Sequence, residues 1–117
     1  MPIRLKRAYE KPEPQDGKRI LVERLWPRGL KKEDAKIGAW LKDVAPSTDL
    51  RKWYAHDPAK WAQFKERYWN ELDAKPEQLS ALAKECKQGM VTFVFGSREE
   101  KFNNAAALKE YIERKIK

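Results

Sequence analysis

The run Met90-Val91-Thr92-Phe93-Val94-Phe95 limits the possible folds more than any other stretch, because it is almost uninterruptedly apolar and rich in β-branched and aromatic residues. A half-exposed strand would alternate with polar residues, so this pattern reads as an inner strand covered on both faces. A parallel sheet with helices above and below follows from it. Ile20-Leu21-Val22, preceded by Gly17, reads as a second strand of the same kind. It is expected to end near Trp26, since Pro27 lacks an N–H and Gly29 tolerates positive φ. Ile3-Arg4-Leu5-Lys6-Arg7-Ala8-Tyr9 alternates apolar with basic residues. That is the pattern of a strand with one wet face or at a sheet edge, with Ile3, Leu5 and Tyr9 toward the core. Glu10 to Gly17, with Pro12, Pro14 and Asp16, is a surface loop by composition.

Helical periodicity occupies the remainder. Ile37, Trp40, Leu41 and Val44 follow an i, i+3, i+4, i+7 spacing that predicts a helix over Lys31 to Val44, with Glu33 and Asp34 in its first turn. Ser47 is an N-cap for a short helix carrying Leu50 and Trp53, and nothing nearby marks it as a nucleophile. Asp57-Pro58 starts a helix reaching about Leu72, with Trp61, Phe64, Tyr68 and Leu72 on one stripe and Trp69 beside it. Lys75-Pro76-Glu77 opens another, with Leu79, Leu82, Ala83 and Cys86 inward and Gly89 at its C-cap. The last begins at Asn103 or Asn104, with Leu108, Tyr111, Ile112 and Lys115 or Ile116 spaced helically. The fold class is therefore α/β: a small three-layer domain, residues 1–117, with a short, mostly parallel central sheet and helices on both faces.

Composition bounds the function. Hydrophobic residues make up 41% of the chain and include five Trp, enough for a packed core despite a charged fraction of 38%. Lys plus Arg at 26 against Asp plus Glu at 18 leaves a net charge of +8, which favours anionic partners, either a small molecule or nucleic acid. A single Cys excludes an internal disulfide framework, and a single His excludes a multi-histidine metal site. No signal-peptide pattern and no membrane-length apolar run is present, so a cytoplasmic location away from membranes is expected, and no cofactor is implied.

The candidate site lies where the two inner strands end. Carboxyl ends of strands in α/β sheets open onto crevices. Arg24 and Arg28 follow the first strand, Gly96-Ser97-Arg98 the second, and Asn103 and Asn104 begin the last helix. In a parallel sheet these converge, with Arg51 and His56 supplied by the neighbouring helix and turn. Guanidinium groups pair two bonds with two oxygens of a phosphate or carboxylate. The leading expectation is an Arg-rich pocket for a phosphate-bearing ligand, a nucleotide or a nucleic-acid end. One alternative is an enzyme in which Glu23 or His56 moves a proton while the arginines hold the substrate. Another is a nucleic-acid-binding regulatory protein using its Lys-rich helices.

Six ordered pieces also carry a resemblance: Arg24-Leu25-Trp26-Pro27-Arg28-Gly29, Trp40-Leu41-Lys42, Ala45-Pro46-Ser47, Leu50-Arg51-Lys52-Trp53, His56-Asp57-Pro58 with Phe64 and Tyr68, and Asn103-Asn104-Ala105 before Leu108-Lys109-Glu110-Tyr111. Together they resemble the YeaO-like branch of the family called domain of unknown function 488. The resemblance implies a small cytoplasmic α/β protein of bacteria or archaea and carries no reaction with it. In the family pattern a His often precedes the two asparagines. Here Phe102 stands there, which removes one candidate for acid/base chemistry.

Overall fold

The computed structural model describes residues 2–115. Four strands, β1 (Ile3–Arg7), β2 (Lys18–Leu21), β3 (Ala39–Trp40) and β4 (Val91–Phe95), form one sheet in the order β1-β4-β2-β3, every pair parallel. Five helices accompany them: α1 (Lys32–Ala35), α2 (Thr48–Tyr54), α3 (Trp61–Asp73), α4 (Pro76–Gln88) and α5 (Asn104–Lys115). Ile116 lies outside the described residues. As its composition requires, β4 is inner and buried along its whole length.

Pleating divides the sheet into two unequal faces. Ile3, Ile20, Val22, Val91, Phe93 and Phe95 point into the main core, which the apolar stripes of α2 to α5 fill with Leu50, Tyr54, Phe64, Tyr68, Leu72, Leu82, Leu108 and Ile112. The opposite face carries Leu21 and Val94 under Ala8, Trp26, Leu30, Ile37 and Trp40. The one-turn α1 and the loop between β1 and β2 cover it, and Arg19 Nε donates to the Ala35 carbonyl at 2.9 Å. Helices therefore lie on both faces, four on one and a single turn on the other.

That β1–β2 loop is not the plain surface connection expected. It returns the chain to the start of β2 across the face of β4, where Thr92 Oγ1 donates to the Asp16 carbonyl at 2.7 Å. Asp16 is fully buried and accepts from Arg19 at 2.7 Å, from Lys6 at 3.2 Å and from Arg4 at 3.2 Å. Lys6, expected on a wet face, is 7% exposed. Gly17 completes the return at φ 64°, where a Cβ would sit 2.2 Å from the Met90 carbonyl oxygen.

Two expected boundaries are corrected. β2 stops at Leu21 rather than near Trp26: Val22 still donates to the Val94 carbonyl, but β4 ends at Phe95 and leaves Glu23 onward no strand to pair with. The helix predicted over Lys31 to Val44 is a single turn closed by Lys36 in the left-handed region, φ 48°. Ala39 and Trp40 then add an edge strand to β2. Ile37 and Trp40 pack on the thin face and Val44 in the main core, so residues that share a helical period lie on opposite sides of a sheet. Among the described residues no helix is long and apolar enough to cross a membrane.

Candidate functional site

The inner strands β2 and β4 both run toward one rim, and the chain beyond their ends builds a cavity of about 410 Å³. Its floor is polar. Glu23, 8% exposed, accepts the Gly96 N–H at 2.8 Å, and Ser97 and Asn104 complete this side. Asn104, the first residue of α5, donates its Nδ2 to the Val22 carbonyl at 2.7 Å and ties helix to strand end. Burial raises the Glu23 carboxyl above its ordinary range, against the opposing pull of the Gly96 N–H and the charges of Arg51 and His56.

Cations arrive from two directions. Pro27 and Gly29 form a turn closed by Leu30 N–H to the Pro27 carbonyl at 3.3 Å, with Gly29 at φ 77°, and this turn presents Arg28. Tyr9 Oη holds it by donating to the Arg28 carbonyl at 2.8 Å. Arg51 projects from α2, whose start is fixed by the expected cap: Ser47 Oγ accepts from Leu50 N–H at 3.1 Å and itself donates to Glu71 at 2.6 Å. The helix ends in two successive left-handed residues, Ala55 at φ 47° and His56 at φ 57°. Each such non-glycine residue costs on the order of 1–3 kcal/mol unless its surroundings hold it, and strain of this kind gathers at functional sites. Here it sets His56 on the cavity wall, its ring centroid 6.5 Å from that of Tyr54. A smaller cavity of about 70 Å³ adjoins, sharing Arg51, His56, Ser97 and Asn104 with the larger one.

Of the residues singled out from sequence, Arg28, Arg51, His56 and Asn104 thus line one cavity. Asn103 borders the smaller cavity, but its carboxamide is used by the fold, donating to the Glu99 carbonyl at 2.8 Å and accepting the Ala106 N–H at 2.8 Å. Arg24 is turned aside: its Nε and Nη2 donate to the Pro46 and Ala45 carbonyls at 2.7 and 3.3 Å and brace the segment ahead of α2. Arg98 is exposed on the turn after β4 and contributes to the wall of neither cavity. The expectation that Arg24, Arg28 and Arg98 converge is therefore corrected to a pair, Arg28 and Arg51, because the β2 strand ends before Arg24 can point along it.

Sequence reasoning missed the apolar side of the cavity, formed by Tyr9, Leu25, Trp26 and Pro27. Strand alternation puts Leu25 on the face of Leu21, but β2 ends at Leu21 and Leu25 is 70% exposed. Phe102 packs against Trp61 with centroids 5.5 Å apart, and its carbonyl accepts from Tyr54 at 2.8 Å. Cys86 is fully buried, and burial pushes its thiol up to about 11, far from a reactive thiolate. Among the described residues no group of three or more His, Cys, Asp or Glu side chains is placed to hold a metal ion.

Comparison with known proteins places the chain. Uncharacterized proteins of Mycobacterium tuberculosis and Mycobacterium bovis are each 41% identical to it over 110 residues, covering 94% of this chain and 92% of theirs. The uncharacterized protein YeaO of Escherichia coli is 38% identical over 112 residues, covering 96% of this chain and 97% of its own. No solved structure matches. The family model described as the inactive DUF488-N3 subclade matches residues 2–117, nearly the full chain. By that match and by these relatives, the chain belongs to the YeaO-like branch of the DUF488 family, in its N3 subclade.

Proposed function

We propose that this protein is a non-catalytic binding domain whose rim cavity takes a phosphate-bearing anion. The observation that carries this reading is the presence of Arg28, Arg51 and His56 on the wall of one cavity at the carboxyl ends of the inner strands. The volume, about 410 Å³, is that of a small-molecule site. Catalysis is disfavoured because the matching family is described as inactive.

The test is calorimetric titration with inorganic phosphate and with nucleotides. Arg51→Ala and Arg28→Ala should each weaken binding at least tenfold, the loss of one charge-assisted hydrogen-bonded contact of about 1.5 kcal/mol or more. Unchanged affinity in both variants refutes the site. Shallow salt dependence is expected, because a pocket ligand displaces few counterions. A steep slope would favour the nucleic-acid-binding alternative.

One observation supports the enzyme alternative, namely the buried Glu23 carboxyl, held above its ordinary range beside Arg51 and His56. Turnover of a panel of phosphorylated substrates that vanishes in Glu23→Gln would establish it over simple binding.

A further inference from the structure

The rim cavity holds more than an inorganic anion needs. One side is apolar, formed by Tyr9, Leu25 and Trp26, and Leu25 is 70% exposed there while most large aliphatic side chains of the chain are buried. Together Leu25 and the Tyr9 and Trp26 rings give the cavity a side that an apolar part of a ligand can contact. Trp26 is fixed in place by the fold. Its Nε1 donates to the Leu30 carbonyl at 2.7 Å and its ring meets Trp40 edge-on with centroids 5.4 Å apart. On the floor, Glu23 uses one oxygen on the Gly96 N–H. An acceptor at such a place repels a phosphate but suits a hydroxyl, as an acidic side chain does toward a ribose in dinucleotide-binding folds. Arg51 and His56 both line the smaller cavity, whose 70 Å³ has room for one phosphate rather than a chain of them.

We infer that the ligand of this site is a free nucleoside monophosphate, with its phosphate between Arg51, His56 and Arg28, a sugar hydroxyl donating to Glu23 and its base against Leu25 and Trp26. The inference rests on the anion-binding reading above and narrows it to one ligand class. Base contact with an aromatic or apolar wall gives strong but sequence-tolerant affinity, so the site requires a base without dictating which.

The experiment titrates the intact protein, by calorimetry and Trp fluorescence, with inorganic phosphate, ribose 5-phosphate, the four ribonucleoside monophosphates and a 5′-phosphorylated oligoribonucleotide. The expected result is that at least one monophosphate binds tenfold or more tighter than ribose 5-phosphate. Leu25→Ala, at a surface position that the fold does not depend on, should cancel most of that advantage and leave ribose 5-phosphate affinity unchanged. If all phosphorylated ligands bind alike and all are lost with Arg51→Ala, the nucleotide inference is overturned while anion binding stands. If the oligonucleotide binds more tightly than every mononucleotide, the site serves a strand end and the inference is again overturned. Absence of binding by any of them removes both readings.

Discussion

At the scale of single residues, Glu23 is held at a cost. Its carboxyl is buried between the ends of two strands, where burial outweighs the Gly96 N–H, Arg51 and His56 and raises it above its ordinary range. A carboxyl raised on folding leaves stability intact below its unfolded value of about 4.3 and withdraws it as pH rises through the folded value. Glu23→Gln keeps an oxygen for the Gly96 N–H and removes the charge. Its thermal midpoint should therefore exceed that of the parent at pH 7 and match it at pH 3, measured by scanning calorimetry. A lower midpoint at pH 7 would show that the charge is needed by the fold rather than by a ligand. Glu23 and His56 were legible as polar residues near a strand end, but their environment was not. The burial of Glu23 beside Gly96 and the left-handed backbone at His56, φ 57°, exist only in the folded chain.

At the scale of elements, α2 is the short helix that aims Arg51, and its seven residues are too few to be stable alone. Two things hold it: the Ser47 cap and the clasp of Glu71 from α3, which accepts from the Ser47 N–H at 2.8 Å and from its hydroxyl at 2.6 Å. Ser47→Ala should cost about 1–2 kcal/mol in urea denaturation, the magnitude of a lost N-cap with a partly buried acceptor left short of a donor. Ser47→Thr, which keeps the hydroxyl, should recover most of it. The cap was readable because it is local chemistry between neighbours in the chain. The helix predicted over Lys31 to Val44 failed for the complementary reason. Four apolar residues at helical spacing do not state whether one surface or two will bury them, and here the sheet separates Ile37 and Trp40 from Val44. Gly38 at the junction donates to the Arg19 carbonyl at 2.8 Å, a backbone bond that begins the edge pairing of β3.

At the scale of the whole molecule, one charge cluster locks the thin face. Asp16 joins β1 through Lys6 and Arg4, β2 through Arg19, and β4 through its own carbonyl. Burial alone would raise its carboxyl, yet the Glu13 N–H, Lys6 and Arg19 together hold it below the usual range. Stability from such a group is present above its unfolded value of about 3.9 and is lost as pH falls through the folded value. Asp16→Asn takes the carboxylate partner from Arg19 in the interior, while Lys6 keeps Glu13 at 2.7 Å, and should lower the unfolding free energy by about 3–5 kcal/mol, with a shallower loss of stability in acid than the parent shows. Urea titrations at pH 7 and pH 4 check both. By itself the sequence determined the parallel α/β class, the inner position of β4 and the cap at Ser47, because each follows from periodicity or from contacts between near neighbours in the chain. Tertiary structure alone decided that Asp16 and Lys6 would be buried together, that Arg24 would brace Ala45 and Pro46 while Arg51 faced the cavity, and that Leu25 would stand exposed on its wall. Those outcomes depend on which strand ends first and on what stands across the sheet, distances that a linear pattern does not contain.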